Sequence, residues 1–250
     1  MLDRPAEYER MALVEGQHWW YRTLHEQVLA ALKQHGVSTQ DVIIDAGCGT
    51  GGLLQFLKAQ GFGAAQGFDL SPHAVTFAQA RGLTVAAANL LELDRFVAPH
   101  SAKAVIANDV LYFFEGQELH RALAVLHRML SPNGVLIANV PAFACFAGIH
   151  DLSVGIPKRF TPKRWQHDLL ACGLQLRQWT CWPFLLAPAI AWQRTRQRHL
   201  LRCNPATTIE SDSSLPPPWL NRLLYGLMRC ERACLPWRPW GSSIFSVSSF

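Results

Sequence analysis

Residues 43–52 read IIDAGCGTGG, an apolar run that ends on an acid and breaks into a glycine-rich loop. The spacing Gly47-x-Gly49-x-x-Gly52 fits the fingerprint that seats a dinucleotide pyrophosphate at a helix N-terminus. Asp45 argues against that ligand. It stands two residues before Gly47, at the end of the strand, where a carboxylate repels a pyrophosphate but receives an ammonium or sulfonium group. A second acid, Asp69, closes the next apolar run 22 residues after Gly47, the place from which a carboxylate accepts both hydroxyls of an adenosine ribose. Asp69 suits either ligand; Asp45 favours the phosphate-free one.

Outward from this loop the chain alternates short apolar strands with helices, the signature of a parallel sheet covered on both faces. Strands are expected at 42–45, 64–69, 83–88, 103–108, 134–140 and 174–180. Helices are expected at 51–61, after the Ser71-Pro72 cap, at 116–130 before the Ser-Pro-Asn-Gly turn, and from the Thr161-Pro162 cap to Gly173. From Cys181 to Trp240 prolines, tryptophans and arginines dominate, with a loop at 211–219, and residues 242–250 alternate as a strand does.

At 250 residues, half of them hydrophobic and 16% charged, the chain buries a full core and is not a disordered one. The N-terminus lacks the apolar core of a signal peptide, and the longest apolar stretch, 181–192, is too short and proline-broken to span a bilayer. A cytoplasmic location is expected, and seven cysteines without a CxxC pair fit it. Cys230 and Cys234 lie four apart with no histidine cluster to match, so no metal site is expected. Residues 1–150 carry 10 Lys/Arg against 13 Asp/Glu, whereas residues 151–250 carry 13 against 5. The basic half points to an anionic neighbour.

The stretch VIIDAGCGTG resembles the first motif of class I S-adenosylmethionine-dependent methyltransferases, GFDLS their acidic strand end, and MLSPNGVLI the entry to their fifth strand. HWWYRTLHEQV (18–28), AANLLEL, NDVLYFF, VPAFACFAGIHD, KRFT and the closing PWGSSIFSV are similar to a bacterial subgroup of these enzymes. Where that subgroup commonly has a histidine after VLY, this chain has Phe113. The resemblance implies a doubly wound, Rossmann-like α/β fold: a mostly parallel seven-stranded sheet whose last strand runs antiparallel between the fifth and sixth, with a helical cap inserted before it. The implied domains are an N-terminal helical lid (1–40), the cofactor core (41–180), the cap (181–240) and the final core strand (241–250).

The same resemblance implies S-adenosyl-L-methionine as cofactor, held by Asp45, Gly47, Cys48, Gly49, Gly51, Asp69, Leu70, Asn89, Leu90, Asn108 and Asp109. The lid adds Trp20, Tyr21 and Arg22, whose guanidinium suits the cofactor carboxylate, as an aromatic face suits a sulfonium. Asn108 and Asp109 lack the prolines and aromatic residue of amino-methylating nucleic-acid enzymes. A hydroxyl nucleophile needs a base, for which His150, Asp151 and Tyr112 are the candidates. The expected acceptor is small and apolar, lipid-like or carrier-attached, methylated on oxygen or carbon. Nucleic acid is not expected, for want of a binding module. The run 184–202, apolar then rich in arginine, is compatible with peripheral contact at the inner membrane face; its alternative is a helix packed over the site with its arginines in water. Two rivals remain: a nicotinamide-dependent oxidoreductase, on glycine spacing alone, and a non-catalytic protein of the same fold.

Overall fold

A computed structural model describes residues 5–203 and 214–250; positions 211–213 of the expected 211–219 loop lie outside the described residues. Helices α1 (Pro5–Val14) and α2 (Trp19–Gln34) precede the sheet. Strand β1 (Ile43–Ala46), helix α3 (Gly52–Ala59), β2 (Ala65–Asp69), α4 (Pro72–Ala80), β3 (Val85–Ala87) and β4 (Ala102–Asn108) then alternate. Helix α5 (Gln117–Met129) leads into β5 (Leu130–Pro141), α6 (Ile149–Val154), α7 (Pro162–Leu170) and β6 (Gln175–Trp182). The chain continues through α8 (Ala187–Cys203) and α9 (Pro218–Cys234) to β7 (Ser243–Ser249).

Local chemistry sets several boundaries. Ser71 and Thr161 cap α4 and α7, each hydroxyl accepting a third-residue N–H at 3.3 Å, with proline in the first turn. Strand β5 begins at Leu130, so the expected Ser-Pro-Asn-Gly turn is absorbed into the strand.

The sheet order is β3-β2-β1-β4-β5-β7-β6, with β7 antiparallel to both of its neighbours and the other pairs parallel. The seven-stranded sheet and its inserted antiparallel strand are as the sequence led one to expect. Both faces are covered. On one, Leu119, Leu123, Leu126, Trp165 and Leu169 pack on Val105, Leu136 and Ile244; on the other, Leu24, Val28, Leu32, Leu53 and Leu57 pack on Ile43, Ile106, Ile137, Phe245 and Val247. Each such side chain contributes about 1.5–3 kcal/mol by leaving water. β7 therefore feeds both cores, Ile244 to one side and Phe245 and Val247 to the other. Two of its serines bond to side chains of other elements: Trp165 Nε1 donates to Ser246 Oγ at 2.9 Å and Arg177 Nε to Ser249 Oγ at 2.7 Å.

Residues 183–242 run between Trp182 and Ser243, which are themselves register partners. The strand order reverses between β1 and β4, and ligands of open α/β sheets sit at the carboxyl ends of the strands at such a point. The glycine loop and Asn108-Asp109 flank it.

Candidate cofactor and acceptor site

The loop after β1 folds over the end of β2. Gly47 N and Cys48 N both donate to Phe68 O, at 2.7 and 3.0 Å, and Gly49 N donates to Asp69 Oδ2 at 2.8 Å. Asp69 Oδ1 accepts from Ser71 N at 2.9 Å. Both carboxylate oxygens thus hold backbone N–H groups at the strand end from which a carboxylate meets ribose hydroxyls. Gly47 has φ +83°, and a Cβ there would sit 2.7 Å from a Val110 methyl, so the close approach of β1 and β4 requires glycine.

Asp45 is buried, with no hydrogen-bond donor from the described residues on its carboxylate. Burial, then the charges of Asp69 and Glu15, push its pKa up to about 8. Burial, then the charges of Asp45 and Asp69, push the Cys48 thiol far up, which holds it as the neutral thiol. Three carboxylates thus surround the loop.

Glu15 explains what the loop refuses. It follows α1, accepts from Thr50 Oγ1 at 2.6 Å and from Gly52 N at 3.2 Å, and pairs with Arg81. Arg81 also donates to Thr50 O at 2.9 Å and Ala12 O at 2.8 Å. The chain's own carboxylate therefore occupies the N-terminus of α3, where a dinucleotide phosphate would bind. A Cβ on Gly52 would lie 2.3 Å from Glu15 Oε2, so the third glycine of the fingerprint makes room for an acid instead of a pyrophosphate.

Across the switch point, Asp109 follows β4 at φ +51°, its N–H donating to Asn139 O at 2.9 Å. Asn139, fully buried in β5, donates through Nδ2 to Asp109 Oδ1 at 2.9 Å and accepts from Trp182 Nε1 at 2.9 Å. Trp182 stacks on Trp20 of α2 with ring centroids 4.1 Å apart. Burial pushes Asp109 up to about 7, against the lowering effect of the Asn139 hydrogen bond and the Arg159 charge. Tyr112 is raised well above 10 by burial, then by Asp109, Tyr21, Asp151 and Tyr8. Helix α2, the end of β4 and the α6 region therefore converge on one place.

The candidate bases differ in their surroundings. Asp151 receives a bidentate pair from Arg159, both contacts at 2.7 Å, and Arg159 also donates to Ala142 O and Ser242 O. That fork ties α6 to the ends of β5 and β7. His150 adjoins it at the start of α6. Arg22 lies with its guanidinium 3.7 Å from the centroid of the Tyr225 ring of α9. Asn89 Oδ1 accepts from Leu91 N at 3.0 Å and caps a short 3-10 turn, within which Leu90 is buried; Leu70 is exposed. In the 184–202 run, Arg198 donates to Cys145 O and Ala147 O, and Arg194 to Gln197, so both turn toward the loop after β5.

Glu15, Arg81, Asn139, Arg159 and Trp182 are absent from the set drawn from sequence. Asn139 alone left a local signal, an amide inside the apolar run 135–142. Among the described residues no three His, Cys, Asp or Glu side chains gather as metal ligands.

Residues 43–134 match the family model described as a methyltransferase domain. A Geobacillus sp. (strain WCH70) protein whose name assigns it as a methyltransferase is 26% identical over 137 residues, 49% of this chain and 55% of the relative. The alignment spans about half the length of that curated relative. A chain from the Haloferax volcanii complex between the Trm112 methyltransferase activator and a methyltransferase superposes with TM-score 0.61 at 20% identity, covering 98% of this chain and 93% of that one. A chain solved in work on the conversion of a disulfide bond into a thioacetal group during echinomycin biosynthesis gives TM-score 0.50 at 27% identity, over 60% and 68% of the two chains. The fold is the class I, Rossmann-like one, a seven-stranded sheet with its last strand antiparallel. Over residues 43–134 the chain is similar to a methyltransferase domain, and S-adenosylmethionine is the cofactor of this domain. The residues present fit it: the buried Asp45 carboxyl at the glycine loop, with no donor among the described residues, for a cationic ligand, and a buried Asn108 Oδ1 with no partner among the described residues.

Proposed function

We propose that the chain transfers a methyl group to an apolar, lipid-like or carrier-attached acceptor held between the ends of β4 and β5, the lid and the cap. The observation that carries the reading is Glu15 seated on the N-terminus of α3 beside the buried Asp45. It favours a cationic adenosyl ligand over a dinucleotide. When bound, the cofactor supplies an electrophilic methyl, displaced in line by the acceptor. Asp45 and Asn108 receive its amino acid end, and Asp69 its ribose hydroxyls. Phe143, Phe146 and Trp240 form apolar wall, with the last two ring centroids 5.1 Å apart.

Proton removal from the acceptor falls to Asp109 in this reading. Its Oδ1 is fixed by Asn139, while Oδ2 has no donor among the described residues, and its pKa near 7 suits a base at neutral pH. His150, Asp151 and Tyr112 then border the acceptor, with Asp151 and Arg159 bracing that wall. Calorimetry tests the assignment of the cofactor pocket. S-adenosylhomocysteine should bind, and Asp69→Ala should cost about 2–3 kcal/mol, an affinity loss of about 30- to 150-fold. Tight binding of a nicotinamide dinucleotide, or unchanged affinity in the variant, overturns the reading. Cofactor binding without methylation of any acceptor would favour the non-catalytic alternative.

A further inference from the structure

Helix α9 is fastened by one face only. Asn221, Tyr225, Met228 and Arg232, spaced four, three and four apart, form the inner face. Asn221 accepts from Trp19 N at 2.8 Å and donates to Gln17 O at 2.9 Å, so it ties α9 to the start of α2. Tyr225 donates to Glu26, and Arg232 reaches Glu26 Oε2 at 2.8 Å. At its end, Glu231 accepts from Phe184 N and Leu185 N, at 2.9 and 2.8 Å.

The opposite face carries Trp219, Leu223, Gly226 and Cys230 at the same spacing, and Trp237 follows the helix. Trp219 is 67% exposed, Leu223 61% and Trp237 74%. Arg222 and Arg229, seven apart, flank this stripe and are exposed. Helix α8 repeats the chemistry: Trp192 is 63% exposed, with the Arg196 guanidinium 5.0 Å from its ring centroid. Between 187 and 250 the only acid among the described residues is Glu231, which is buried and committed to backbone N–H groups. Among the described residues the exposed face of α9 carries tryptophan, leucine and arginine and no acid.

We infer that the outer face of α9, with Trp237, docks on an anionic lipid surface, its tryptophans and Leu223 in the headgroup boundary and Arg222 and Arg229 against the headgroups. A helix with one aromatic-aliphatic face flanked by arginine lies in such an interface. A second copy fits less well, because a two-fold contact opposes a basic patch to itself. The surface differs from the 184–202 run, whose Arg194 and Arg198 turn inward. It stands whether or not the proposed acceptor is right.

The test is co-sedimentation of the full chain with vesicles of phosphatidylcholine alone or mixed with phosphatidylglycerol. Binding should appear on the mixed vesicles, blue-shift the tryptophan emission and fall as salt is raised. Arg222→Glu with Arg229→Glu should weaken it at least about 30-fold, from roughly 1 kcal/mol per basic residue removed. Trp219→Ser with Leu223→Ser and Trp237→Ser should abolish it. Retained melting temperature and retained S-adenosylhomocysteine binding certify that the variants fold. No binding to mixed vesicles, or equal binding by folded variants, overturns the inference. So does a dimer in solution that the Trp219→Ser, Leu223→Ser variant dissociates, because the face is then a contact between copies.

Discussion

Binding of S-adenosylhomocysteine should release a proton from Asp45, and the count follows from the site. Asp45 is buried among Asp69 and Glu15, with its pKa at about 8. At pH 7 such a group is protonated in about nine molecules of ten. The ligand's ammonium favours the ionised carboxylate, so binding pulls the pKa below neutrality and expels about 0.9 proton per ligand at pH 7. At pH 9, where only about a tenth of the free chain still holds the proton, release nearly vanishes. The affinity should accordingly rise about tenfold from pH 6 to pH 7 and level off above pH 8. Calorimetry in phosphate and in Tris measures the number directly, because heat from buffer protonation scales with protons released. In Asp45→Asn the buffer dependence should disappear while some affinity remains. An observed heat independent of buffer in the native chain, or unchanged by the substitution, refutes the argument that Asp45 meets the cationic end of the cofactor.

Two further outcomes test the frame around that site. Asp109 has a folded pKa raised to about 7, so the native state binds the proton more tightly than the unfolded chain. Its effect is therefore to lower stability as pH rises from about 4 through 7, by less than about 4 kcal/mol because the residue is partly open to solvent. Thermal melts of Asp109→Asn should show a shallower decline over that window and a higher melting temperature at pH 8; parallel curves would remove the raised pKa. Deleting residues 242–250 should leave both β5 and β6 unpaired along the β7 edges and strip Ile244, Phe245 and Val247 from two cores. Insoluble or molten protein is expected, and a soluble truncation that melts cooperatively near the full-length temperature would contradict the register.

The core was legible in sequence because its signals are local. An acid at a strand end, a glycine loop, and Ser-Pro and Thr-Pro caps each act within a few residues of themselves. Period-two alternation in 242–250 read correctly as a strand for the same reason, although its place in the sheet came from resemblance. The site was legible only on the side built by consecutive residues. Glu15 lies 37 positions from the Gly52 N–H it accepts, and Asn139 is 43 from the Trp182 indole that fixes it. Neither has a motif, since each is chosen by what arrives beside it in three dimensions. Arg194 and Arg198 could not be placed from sequence for a related reason: a helix displays its charges in sequence, but which of them face water is decided by the loop it packs against.

The place of β7 also bears on how the sheet is assembled. Among the described residues strand β6 has no neighbour other than β7, and the outer edge of β5 has none until β7 arrives. During synthesis β6 is made some sixty residues ahead of its partner, with the whole α8–α9 segment emerging in between. A nascent chain therefore holds two unpaired strand edges and two half-covered apolar faces while that segment is being made. Such edges are templates for pairing with other chains, and contacts of this sequence separation form slowly. Helix α9, made just before β7, meets α2, so the pairing of the last strand closes a segment already held at its other end.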